Sequence, residues 1–197
     1  MGSSSIHSNS LPVSGVVPNT VVELLNQQIA ETIDLQLQAT HAASSVKGPY
    51  APELKVLFDG VARDLRETID VIAGRIDTLG GQEVATVRIV NQQSHVRFSS
   101  DTFNANEHLQ AMLSSHSKYE SAFRRILKRV EELGDPESVL VLERIGVSIE
   151  RNLWLLETYL EAVAVGLHGR KLPKWTPAFE NEFRSFERHQ RICSHGI

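Results

Sequence analysis

The chain is predicted to fold as an all-α four-helix bundle with one long crossover, and three observations predict it. Apolar residues recur at spacings of three and four along four stretches of the 197 residues. Gly48-Pro49, Gly80-Gly81 and Gly134-Asp135-Pro136 punctuate those stretches. The connections run short, long, short, which pairs the stretches into two hairpins joined by a crossover. No period-two alternation competes with this pattern.

The first helix is expected from about Thr20, where Thr20 and Glu23 have capping-box spacing. Val22, Leu25, Ile29, Ile33 and Leu37 then carry it to about Ser45. Pro52 suits the first turn of the second helix, along which Leu54, Leu57, Phe58, Val61, Leu65, Ile69, Ile72, Ile76 and Leu79 form one stripe. Each helix would be about 40 Å long at 1.5 Å per residue, a bundle helix rather than an α/β crossover. Residues 82–100 make the long connection, with a short helix expected around Val84, Val87, Ile89 and Val90. The third helix is expected to start after Ser99 or Ser100 and to end at Gly134. Asp135-Pro136 caps a fourth that closes at Gly166 and Gly169. Trp154 falls at helical spacing on the fourth helix and reads as core.

The organisation that follows is a Ser-rich, uncharged arm at 1–18, a bundle at 19–166 and an extension at 167–197. Within the extension Phe179, Phe183 and Phe186 share one side of a short amphipathic helix beginning at Thr176-Pro177. Arg184, Arg188 and Arg191 lie on the other side.

Composition narrows the function classes. Hydrophobic content of 41% with 22% charge is that of a globular domain, and 6% aromatics leaves an aliphatic core. No apolar run approaches the roughly 20 residues that span a bilayer, and the N-terminus has no signal-peptide pattern. The single cysteine, Cys193, excludes an internal disulfide framework and reads as an incidental thiol. A cytoplasmic protein is expected. Net charge is −4, and it is unevenly spread: a basic extension of +3 follows a body of −7. Arg170, Lys171, Lys174, Arg184, Arg188 and Arg191 are candidates for contacts to DNA phosphates. With three glutamates interspersed, docking of the Phe face on a protein surface is the favoured reading. Phosphate loops, nucleophile triads and Cys/His zinc spacings are absent.

The runs IDLQLQ, VKG, LFDG, ETIDVIAGRIDTLGG, ANEHLQ and LWLLETYLEA, in this order between Val22 and Ala164, make the chain resemble the Dps mini-ferritin family. The resemblance implies a ferritin-like bundle assembled from dimers into a hollow homo-dodecamer that takes up iron and, in many members, binds or shields DNA. It also implies an iron-oxidising (ferroxidase) site shared across the dimer interface. One subunit there supplies two histidines and an aspartate, and its partner an aspartate and a glutamate. At those five positions this sequence has Ala43, Lys55 and Asp59, then Asp70 and Gly74. Two readings stay open. In one, Asp59 and Asp70 with a nearby group such as Glu67 hold iron in a rearranged site. In the other, favoured, reading Lys55 replaces the metal's charge and pairs with Asp59 or Asp70. His41 lies about 200° around the helix from Ala43 and reads as an interface or core imidazole. His95, His108 and His116 fall outside the family's oxidase positions.

Overall fold

Residues 16–82 and 104–165 are described in a computed structural model as four helices: α1 (Val16–Ser45), α2 (Ala51–Thr78), α3 (Ala105–Leu133) and α4 (Pro136–Ala164). The described residues contain no strand. The crossover with its expected short helix, and the extension with Phe179, Phe183, Phe186 and its basic residues, lie outside the described residues.

Each helix forms because its apolar positions return to one side every three or four residues. Val21, Leu25, Ile29, Leu35 and Ala39 lie on the inner side of α1, and Leu54, Leu57, Phe58, Val61 and Leu65 on that of α2. All are buried in one core with Leu109, Met112, Phe123, Leu142, Ile149 and Leu156. A side chain of this size contributes about 1.5–3 kcal/mol when fully buried, so the core rather than helix propensity holds the bundle.

Contacts between helices fix the topology. Thr32 meets Tyr119 and Ser45 meets His108, so α1 and α3 run antiparallel. Asp64 meets Arg151 and Arg75 meets Asp135, so α2 and α4 do too. Within each hairpin a left-handed glycine turns the chain, Gly48 (φ 103) before α2 and Gly134 (φ 75) before α4. None of the four helices is long and apolar enough to cross a membrane.

Two boundaries and one burial differ from the sequence-based expectation. Helix α1 begins at Val16, so residues 16–18 belong to the bundle and Thr20 and Glu23 lie inside the helix. Pro18 is tolerated because first-turn backbone N–H groups have no intrahelical acceptor to lose. Helix α3 starts later than Ser100, at Ala105, because Asn104 is the better cap. Its side chain accepts from the Glu107 backbone N–H at 3.0 Å, and Glu107 accepts from the Asn104 N–H at 2.8 Å. Trp154 is half-buried against the core rather than within it.

Candidate functional site

Helix α2 presents one continuous outward face. Lys55, Asp59, Arg66, Asp70, Arg63, Gly74 and Glu67 all fall within about a third of its circumference at 100° per residue, and all are exposed. Leu54, Leu57, Val61 and Leu65 occupy the buried side and fix this orientation. Exposed Val56 and Val71 border the same face.

Its charges are balanced: Lys55, Arg63 and Arg66 stand among Asp59, Glu67 and Asp70. Eleven residues separate Asp59 from Asp70, about 16 Å along the axis, so the two cannot share an ion within one chain. Glu67 and Asp70 are one turn apart and neighbours. Ala43 is elsewhere, buried at 5% exposure in the core. An imidazole at that position would have to displace packed side chains. No group of three or more His, Cys, Asp or Glu able to hold a metal occurs among the described residues. The described residues of one chain therefore form no metal centre of that kind by themselves. Ala43 and Gly74 offer no side-chain ligand atom, and Lys55 is a cation.

His41 is exposed, which overturns a core position for it, and it lies on the other side of α1 from buried Ala43. His108, at 7% exposure, packs near it. The Ser45 hydroxyl lies 3.5 Å from His41 Nδ1 and 3.5 Å from His108 Nε2. This convergence was not foreseen. The only signal for it is the i, i+4 spacing of His41 and Ser45, because the partnership with α3 is tertiary.

Polar groups also lie inside the bundle. Thr32 donates its hydroxyl proton to the Gln28 carbonyl at 2.7 Å, so at 2.8 Å Tyr119 must donate to Thr32. Burial pushes the Tyr119 phenol up to about 12, which keeps it protonated as that donor. Asp64, with 2% side-chain exposure, accepts from Arg151 at 2.7 Å. Burial raises the Asp64 pKa and Arg151 opposes the rise. At the end of the α2/α4 seam Arg75 donates to Ser138 at 2.8 Å, Asp135 at 2.9 Å and Glu137 at 2.7 Å. This network joins the C-terminus of α2 to the capped N-terminus of α4, with charges that suit both helix ends. Burial works against the Asp135 charge, but hydrogen bonds from Ser138 and Arg75 outweigh it and hold the pKa below the ordinary value.

The fold agrees with comparisons to known proteins. The profile of the ferritin-like domain family matches residues 22–164, and the chain belongs to that family. A DNA protection during starvation protein of Agrobacterium fabrum is 26% identical over 154 residues, covering 78% of this chain and 94% of the relative. A Mycobacterium smegmatis Dps structure superposes with a TM-score of 0.70 at 24% identity, covering 81% of this chain and 94% of that one. A Vibrio cholerae DPS protein, described as belonging to a broad superfamily of ferritin-like diiron-carboxylate proteins, gives 0.69 at 20% identity over 80% and 99%. Within the ferritin-like family, this chain falls in the Dps branch.

Proposed function

We propose that the chain assembles from dimers into a homo-dodecameric shell that sequesters iron as cargo and protects against oxidative stress. In this reading oxidation at the dimer interface is weak or absent. Membership of the Dps branch supports the shell and its cargo. The observation that carries the rest is the charge-balanced face of α2: Lys55 supplies among Asp59, Glu67 and Asp70 the positive charge that bound iron would otherwise bring. When two copies bring these faces together, each Lys55 pairs with a carboxylate of its neighbour. A net body charge of −7 favours cation uptake without a dedicated centre.

The test is Fe(II) oxidation by oxygen and by peroxide, followed by absorbance on size-verified dodecamer, with iron retained by the protein measured afterwards. The expected result is oxidation no faster than the protein-free control at low iron loading, with iron co-eluting with the shell at high loading. Rapid, saturable oxidation at low loading would overturn the weak-centre reading and return Asp59, Asp70 and Glu67 to the role of ligands. Absence of retained iron would overturn storage.

A second reading, a DNA-associated shell inactive toward iron, is favoured by one observation. The Agrobacterium relative is named for DNA protection, and this chain carries Arg170, Lys171, Lys174, Arg184, Arg188 and Arg191 in its extension. Gel shift at low and moderate salt decides it: binding through phosphates weakens steeply as salt rises, and no shift at any salt sinks it.

A further inference from the structure

Away from the outward face of α2, two imidazoles converge across the seam between α1 and α3. His41 comes from the last turns of α1 and is open to solvent, and His108 comes from the first turn of α3 and is buried. The Ser45 oxygen lies between them, 3.5 Å from His41 Nδ1 and 3.5 Å from His108 Nε2. Its proton is committed to the His41 carbonyl at 2.7 Å, so in these contacts the two ring nitrogens donate to the hydroxyl oxygen, and a metal ion would replace that proton at each nitrogen as the ring moves its remaining proton to its other nitrogen. Two ring nitrogens and one hydroxyl oxygen thus border one small space. The Phe58 ring, with its centroid 6.4 Å from that of His108, gives His108 an apolar neighbour.

We propose that His41 and His108 together bind one divalent first-row transition-metal ion at this end of the bundle, with water completing its coordination. Neutral imidazole is a ligand suited to zinc, iron, cobalt, nickel and copper, and the absence of a carboxylate pair here disfavours calcium and magnesium. The two nitrogens are no farther apart than their two contacts to Ser45 laid end to end. Metal–nitrogen bonds of about 2.0–2.1 Å then require only that the exposed His41 ring swing toward the buried one. The ring buried in the wall supplies the fixed ligand and the solvent-facing ring supplies access.

The test is a titration of the full-length assembled protein with cobalt(II) alone, read by visible absorbance and by equilibrium dialysis, on wild type, His41→Ala and His108→Ala. Wild type is expected to bind one more ion per chain than either variant, and the two variants to lose the same absorbance band. The remaining histidines are common to all three proteins and set the background. Equal binding by wild type and His41→Ala would overturn the proposal. Because His41 is exposed, that variant decides the matter even if His108→Ala fails to fold. The readout involves no iron chemistry, so a failed iron-oxidation or iron-storage assay leaves it standing, and its failure leaves the storage reading untouched.

Discussion

At the scale of single residues the interior polar groups set the response to pH. His116 has no exposure, packs edge-on against Tyr119 with ring centroids 6.3 Å apart, and finds no hydrogen-bond partner for either nitrogen among the described residues. Burial lowers its pKa from 6.5 to about 4. The folded ring therefore stays neutral down to about pH 4, whereas the unfolded ring takes up a proton below its model value of 6.5. The stability this gives is fully present above the unfolded value. It falls by up to about 1.4 kcal/mol per pH unit as pH drops between the two, about 3 kcal/mol in all. His116→Leu removes this acid limb and a buried, unsatisfied ring at once. Urea midpoints are expected to rise in the variant, and to rise more at pH 5 than at pH 7.5. An equal shift at both pH values would show that the ring is not neutralised by the fold.

The Asp64–Arg151 pair behaves in the opposite sense. Arg151→Ala leaves a buried carboxylate without its cation and is expected to cost about 3–5 kcal/mol near neutral pH. The pKa of Asp64, already raised by burial, then rises further. The folded variant holds a proton that the unfolded chain has released, so its deficit grows as pH climbs above the unfolded carboxylate value of 3.8. Asp64→Asn in the Arg151→Ala background should flatten that dependence, as chemical denaturation across the pH range would show.

Among the elements, the exit from α2 is the tightest joint. The Gly80 (φ 72) and Gly81 backbone N–H groups donate to the carbonyls of Asp77 and Ile76, both at 3.0 Å, and so close the helix. A Cβ on Gly81 would sit 2.6 Å and 2.7 Å from the two methyl carbons of Val22 on α1. Asn26 of α1 holds the same strip of chain, donating to the Gln82 carbonyl at 3.0 Å. Since a valine side chain has little rotamer freedom, Gly81→Ala is expected to cost about 1–3 kcal/mol. Most of that should return in the double variant with Val22→Ala, less the methyl groups lost. Thermal denaturation of the three variants measures the coupling, and additive effects would show that the two residues do not touch.

At the scale of the whole molecule, the two hairpins pack with α1 against α3 and α2 against α4, and the α2 face remains outside. On the proposed shell, Lys55→Glu adds a like charge to Asp59, Glu67 and Asp70 where two copies meet. Assembly is expected to shift toward smaller species at low salt and to recover as salt screens the repulsion. Sedimentation velocity across a salt series reads this directly. An unchanged dodecamer at low salt would place Lys55 away from the interface.

Four helices and their pairing into hairpins were legible in the amino-acid order. They depend on residue type at fixed spacing: an apolar period of 3.6 and a glycine where a left-handed turn is needed. The start of α1 was misplaced because Thr20 and Glu23 imitate a cap, and Pro18 gives no local sign that the helix has already begun. The start of α3 is encoded by Asn104 and Glu107, a capping box that the serines before it imitate only in residue type. Tertiary structure alone decided which polar residues meet. Thr32 is 87 residues from Tyr119, Asp64 is 87 from Arg151 and Ser45 is 63 from His108. Helical periodicity places each of these side chains on a face. Only the packing of one helix against another, set by the shape of the whole core, determines the register at which two faces come together.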